Sequence, residues 1–293
     1  MSASGTETVQ AYAELFRISN LPTVISNTAV GVALGRAGAN IPLEAAVPCA
    51  VAILFLYLAG VASNDAIDAD WDATERPERP IPSGRLSRAQ AYRAVISAFA
   101  LGLAVLASIG LTALAVGVVL VAVITLYNLF HKRFAASIAF MGAARGLVYL
   151  TAATAVGGAL GAPKPMWFIL TIAFYTIAFT LVARSEHKDQ IDSGRWLAAG
   201  IPLIVLIPGV WITVNEALVA VGVSVVLILW QARAVLKVFR IPPETKDAVH
   251  IWLSGFCLMD AFYLGVLGYT GLIAVPVVCF LLTLLLQRRI RGT

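Results

Sequence analysis

The chain has 293 residues, of which 60% are hydrophobic and only 13% charged, with a formal net charge of +5. A soluble domain carries about a quarter charged residues, so composition excludes a soluble globular protein and leaves a polytopic membrane protein; the mean hydropathy of +0.87 agrees. The basic residues flank apolar stretches and form no domain of their own, which argues against nucleic acid as a partner.

In chain order, the stretch up to Arg17 has neither a basic leader nor a short apolar core, so it does not read as a cleaved signal peptide. A helix needs about 20 apolar residues to cross a bilayer. Segments that qualify run approximately over 22–39, 44–63, 90–109, 111–130, 136–160, 165–183, 197–213, 215–236, 249–269 and 271–287. No soluble domain fits between them. The expected fold is all-α, one transmembrane bundle of nine to ten spans over residues 1–293. Lys and Arg orient such a bundle. One set of loops holds Arg76, Arg79, Arg85, Arg88 and Arg93, then Lys132 and Arg133, then Arg184, Lys188 and Arg195, then Arg233, Lys237, Arg240 and Lys246; the opposite loops hold Arg36 and Lys164. The first set is expected to be cytoplasmic, with the N-terminus beside Arg17. Arg288, Arg289 and Arg291 place the C-terminus there too, which requires an even number of spans.

Two acidic clusters interrupt this pattern. The stretch 64–87, NDAIDADWDATERPERPIPSGRLS, holds Asp65, Asp68, Asp70, Asp72, Glu75 and Glu78. If the preceding helix runs on, Asp65, Asp68 and Asp72 share one face, with Asn64 beside Asp68. Like charges at this density call for a cation, and hard oxygen ligands suit Mg²⁺. The second cluster, RSEHKDQIDSGR, holds Glu186, Asp189 and Asp192 at the end of a span four further along. The positive-inside rule accounts for flanking arginines but not for acids, which do little for topology.

Two charges lie inside spans, Arg145 in MGAARGLVYL and Asp260 in CLMDAFYLG. An intramembrane charge is costly and marks a functional site by default. Asp260 is expected either to pair with an Arg or to face a substrate. Cys49, Cys257 and Cys279 sit in apolar runs without metal or redox spacing and read as small buried side chains. His131, His187 and His250 are isolated near the basic side and show no convergence on a metal. Aromatic residues such as Tyr127, Tyr149, Phe174, Tyr175, Phe179 and Trp252 fit ordinary helix packing and also cation–π shielding.

Taken together, these residues resemble the UbiA superfamily of intramembrane prenyltransferases. Asn64, Asp65, Asp68 and Asp72 are similar to its NDxxDxxxD motif, and Arg79-Pro80-Ile81-Pro82-Ser83-Gly84 follows it in the family's manner. Tyr127, Lys132 and Arg133 resemble the end of the family's fourth span, Arg17-Ile18-Ser19-Asn20-Leu21-Pro22-Thr23 its start, and Gly142 to Leu147 its fifth span. Within the superfamily the chain looks like the EboC-type bacterial homologues. The second family motif, usually DxxxD, here reads Glu186, Asp189 and Asp192 with Glu leading, and the family is usually described with nine spans.

The resemblance implies Mg²⁺-dependent transfer of a prenyl group from a polyprenyl diphosphate to a small aromatic or hydroxyl-bearing acceptor, in a bacterial inner membrane. Asn64, Asp68, Asp72, Glu186, Asp189 and Asp192 are the expected metal ligands. Arg17, Asn64, Arg79, Lys132, Arg133 and Arg145 are expected to bind the diphosphate, and Asp65, Asp68 and Arg145 to serve catalysis. A terpene cyclase with the same diphosphate machinery is the alternative. A transporter fits less well, because transporters hold their charged sites near the midplane and both acidic clusters lie at helix ends. A CDP-alcohol phosphotransferase lacks its motif here.

Overall fold

The computed structural model describes residues 5–36, 39–158, 163–185, 191–212 and 217–289. Within them the chain is helical, with no strand. The helices are α1 (Gly5–Leu15), α2 (Leu21–Arg36), α3 (Leu43–Ile67), α4 (Ala69–Glu75), α5 (Arg88–Ile109), α6 (Leu111–Phe130), α7 (Ile138–Ala155), α8 (Pro163–Ser185), α9 (Ile191–Ile204), α10 (Ala217–Val238), α11 (Thr245–Val266) and α12 (Ala274–Arg289). Among the described residues, eight helical segments are long and apolar enough to cross a bilayer. Two more expected spans are shorter: α2 has 16 residues, and α9 continues through a 3₁₀ turn at Ile207–Trp211.

Local chemistry sets the boundaries. Ser87 starts α5 with a capping box: its hydroxyl accepts from the Gln90 amide, and the Gln90 side chain accepts from the Ser87 amide at 2.8 Å. Gly110 alone separates α5 from α6, making an antiparallel helical hairpin. Arg17, between α1 and α2, holds a left-handed backbone with φ 44° and ψ 51°. For a residue with a Cβ this costs about 1–3 kcal/mol and is held only by its surroundings.

In lipid, helices associate through close packing and interhelical hydrogen bonds, and small residues let backbones approach. Helix α2 meets α7 at such a crossing: a Cβ on Gly31 would fall 2.6 Å from the Tyr149 carbonyl oxygen and from the Ala152 Cβ. Gly142 does the same for α7 against α8, where a Cβ would fall 2.7 Å from the Ala173 carbonyl oxygen. Helix α11 is the central element. Every residue from Ser254 to Val266 is buried, and α2, α8, α10 and α12 pack around it.

Candidate functional site

Helix α3 carries the first acidic motif to the edge of the bundle. It does not run on as one straight face. It ends at Ile67, Asp68 takes φ −84° and ψ 0°, and α4 starts at Ala69. That break turns Asp68 away from Asp65 and Asp72, which converge on one arginine. Asp65 accepts from Arg17 Nη2 at 2.7 Å and from Arg79 Nη1 at 3.2 Å. Asp72 accepts from the same Arg79 nitrogen at 2.7 Å. Asp68 turns instead to the loop after α6, where His131 Nε2 and Lys132 Nζ each stand 3.0 Å away.

The ion pairs are mostly shielded from water. Asp65, Asp68 and Asp72 are all buried, and the Arg79 side chain is only 13% exposed. Burial works to raise the Asp68 carboxyl, but hydrogen bonds from His131 and Lys132, together with their charge, hold it below the usual carboxylate value. Burial likewise works against the charge on Arg17, and the adjacent Asp65 carboxylate outweighs it, so the guanidinium is held more firmly protonated than usual.

Beside this cluster a cavity of about 300 Å³ runs into the bundle. Arg17, Asn20, Asn64, Tyr127, Asn128 and Arg145 form its polar wall, and Ile53, Leu56, Leu120, Ile124, Val148 and Phe179 are among its apolar lining. Asn64 leans towards Asn128, with its amide 3.4 Å from the Asn128 oxygen, and Asn128 in turn donates to the Gly60 carbonyl at 2.9 Å. Arg145 lies in the cavity wall, as its cost inside a span requires, and does not snorkel to an interface. Its guanidinium sits 4.1 Å over the Phe256 ring and donates to Asn27 Oδ1 at 2.7 Å. Among the described residues it pairs with none of Asp65, Asp68 and Asp72; Glu186, Asp189 and the Asp192 side chain lie outside them.

The sequence-derived candidates are therefore brought together unevenly. Arg17, Asn64 and Arg145 line one cavity; Asp65, Asp68, Asp72, Arg79 and Lys132 form the ion-paired cluster next to it. Arg133 is exposed on the loop, away from the cavity wall. Glu186 and Asp189 lie outside the described residues; Asp192 belongs to α9, but its side chain is not described. His131, read from sequence as isolated, is a partner of Asp68 and stacks on Tyr127 at 5.3 Å between ring centres. Its signal was its position four residues after Tyr127 and next to Lys132. Asn27 and Asn128 went unnoticed because a lone Asn in an apolar helix carries no charge to flag it.

The donors fit Mg²⁺ by type, being amide and carboxylate oxygens. In this arrangement each of the three carboxylates is already balanced by a side-chain cation. Among the described residues no group of three acidic, imidazole or thiol side chains converges on one point.

Comparison with known proteins extends these likenesses. Residues 24–242 match the pattern described as the UbiA prenyltransferase family. The digeranylgeranylglyceryl phosphate synthase of Methanoregula boonei is 34% identical over 183 residues, 61% of this chain and 63% of that protein. The enzyme of the same name from Pyrococcus abyssi is 32% identical over 203 residues, 67% of this chain and 69% of that one. That from Methanopyrus kandleri is 35% identical over 122 residues, 41% of this chain and 43% of that protein, so the matched stretch spans less than half of this relative. These relatives are archaeal synthases, and they do not point to the expected EboC-type bacterial branch. Among solved structures, an apo UbiA homolog from Aeropyrum pernix K1 superposes with a TM-score of 0.66 at 16% identity, covering 84% of this chain and 96% of that one. A UbiA homolog from Archaeoglobus fulgidus bound to GPP and Mg²⁺ gives 0.65 at 17% identity, covering 92% and 99%. Those likenesses concern the fold, whereas the family pattern covers three quarters of the sequence and includes the whole acidic motif from Asn64 to Asp72; on that ground the chain belongs to the UbiA prenyltransferase family.

Proposed function

We propose that this chain, as one domain over residues 1–293, transfers a prenyl group from a prenyl diphosphate to an oxygen nucleophile of a membrane-associated acceptor, with Mg²⁺. One observation carries the reading: an apolar cavity whose polar wall holds Arg17, Asn64 and Arg145 lies against a cluster of buried carboxylates. The tail would occupy the apolar part, which excludes water from a reacting allylic carbon. Arg17 and Arg145 bind the diphosphate, joined by Lys132 and Arg79 from the neighbouring cluster. Arg133, exposed on the loop, takes at most an accessory part in drawing the anion in. Asn64, Asp68 and Asp72 are the described candidates for metal, with Glu186, Asp189 and Asp192 completing the set. When bound, Mg²⁺ neutralises charge on the leaving diphosphate. Asp65 holds Arg17 at the cavity mouth, and Asp68 does the same for Lys132 and His131. The acceptor is read as an oxygen nucleophile because the archaeal relatives are named for a glyceryl phosphate carrying two geranylgeranyl groups. By the loop charges the motif end of the bundle faces the cytoplasm of the cell membrane.

The test is to incubate purified protein with Mg²⁺, geranyl or geranylgeranyl diphosphate, and either a glyceryl phosphate lipid or a small aromatic acid, and to analyse the lipids by mass spectrometry. An ether-linked product with release of diphosphate is expected in the first arm. Product in the aromatic arm alone would move the acceptor class. A terpene formed from the diphosphate alone would replace transfer by cyclisation, and no consumption of any diphosphate would overturn the reading.

A further inference from the structure

Asp260 lies on α11, beyond the residues that match the family pattern, and none of its surface is exposed. A carboxylate inside a span must be held by donors. Asp260 has three, and none is a cation: Ser26 Oγ at 2.5 Å and Asn27 Nδ2 at 2.7 Å reach one oxygen, and the Tyr149 hydroxyl at 2.5 Å reaches the other. The cation stands one step further out. Arg145 Nη1 donates to Asn27 Oδ1 at 2.7 Å.

The order of these groups has a polarity. A carboxylate only accepts hydrogen bonds, and a guanidinium only donates them. Asn27, between the two, must turn its NH₂ to Asp260 and its carbonyl oxygen to Arg145. The tight α2–α7 crossing places it there, because Gly31 and Tyr149, each one turn on from Asn27 and Arg145, are in contact. Arg145 is thus fixed on one side by an oriented amide and beneath by Phe256, and it lines the cavity.

We propose that Asp260 is a positioning residue for diphosphate binding: acting through Asn27, it orients the guanidinium of Arg145 at the cavity wall. This rests on the reading that Arg145 binds the diphosphate. A carboxylate that merely fastened α2, α7 and α11 together would need no particular order of charges along the relay, and that difference is testable.

The experiment measures KM for geranyl diphosphate and kcat separately in the purified full chain, for wild type, Arg145→Ala, Asp260→Asn and the double variant Asn27→Asp/Asp260→Asn. Asp260→Asn keeps the shape but lets Asn27 turn its NH₂ towards Arg145, so KM is expected to rise about tenfold, with a smaller change in kcat. The double variant moves the carboxylate next to Arg145 and puts the amide behind it. It restores the alternation of acceptor and donor, and KM is expected to return to within about threefold of wild type. If Arg145→Ala leaves KM unchanged, the reading of Arg145 itself fails. If Arg145→Ala raises KM while Asp260→Asn does not, the positioning role of Asp260 is overturned. A raised KM in Asp260→Asn that the double variant does not recover overturns the relay. Should the Asp260 variants not fold, Asn27→Leu decides, because Asp260 then keeps Ser26 and Tyr149: a raised KM supports the relay, and an unchanged KM refutes it.

Discussion

Among the described residues, the buried carboxylates at the motif end and the one in the middle of the bundle are satisfied in opposite ways. At the motif end, Asp65, Asp68 and Asp72 are met by the charged side chains of Arg17, Arg79 and Lys132, with the His131 imidazole beside Asp68. In the middle, Asp260 is met by a serine, an asparagine and a tyrosine, and its nearest cation is held through an amide. Long side chains of Arg and Lys at a helix end can swing away and let another cation take their place. Short neutral donors on packed helices cannot. On the proposed function the motif end exchanges its counter-ions for metal while Asp260 keeps its partners, and mutations can probe that difference.

The largest effects are expected at the motif end. Asp68→Ala removes a candidate metal ligand and releases both His131 and Lys132; kcat is expected to fall about 10²–10³-fold, comparable to losing one preorganised charge-stabilising contact. Circular dichroism should show the fold intact, since Asp68 lies at a helix end. Chelation by EDTA is expected to abolish turnover and added Mg²⁺ to restore it; full turnover after exhaustive chelation would remove the metal from the reading. Arg145→Ala comes next, with diphosphate binding weakened about 10–100-fold, the range of a charge-assisted hydrogen bond. Arg145→Lys should recover only part of this, because Lys lacks the planar fork.

Arg79→Ala sharpens the contrast from the stability side. It leaves Asp65 with Arg17 alone and Asp72 with no cation shown, at a cost of about 1–3 kcal/mol for a pair that is largely but not fully buried. Thermal unfolding should then respond more strongly to Mg²⁺ in this variant than in wild type, since the metal can occupy the vacated charge. An equal Mg²⁺ shift in both proteins would show that these carboxylates do not exchange Arg79 for metal. The smallest effect is expected for Lys132→Ala. Its side chain is 36% exposed and His131 remains on Asp68, so less than about 1 kcal/mol, or a few-fold in KM, should be lost.

Much of this was legible in the residues. Most of the ten apolar stretches appear as helices within a few residues of their expected limits, except 197–213, where α9 ends at Ile204 and a 3₁₀ turn follows, and the resemblance carried by Asn64 to Asp72 agrees with the family match. The straight acidic face does not form as expected: the helix breaks at Asp68, which turns to His131 and Lys132, while Asp65 and Asp72 share Arg79. Asn64 and Asp72 could be placed by spacing, but the arginine shared by Asp65 and Asp72 depends on how the loop through Arg79 folds back over α4. His131 was dismissed as isolated because its partner lies 63 positions earlier in the chain.

By itself the sequence determined the membrane class, the number of apolar stretches and the end of the bundle where acids and arginines gather. Those are sums over consecutive residues, since hydropathy and charge act on each stretch separately in a bilayer. It also determined that Arg145 and Asp260 must each find partners, because an unpaired charge inside a span is too costly to leave. Only the tertiary structure decided which partners. Asn27 lies 118 positions from Arg145 and 233 from Asp260, and they meet because Gly31 lets α2 press against α7 while α11 threads the centre of the bundle. The demand for a partner is local chemistry, whereas the choice among many polar residues is a matter of helix packing that no single stretch contains.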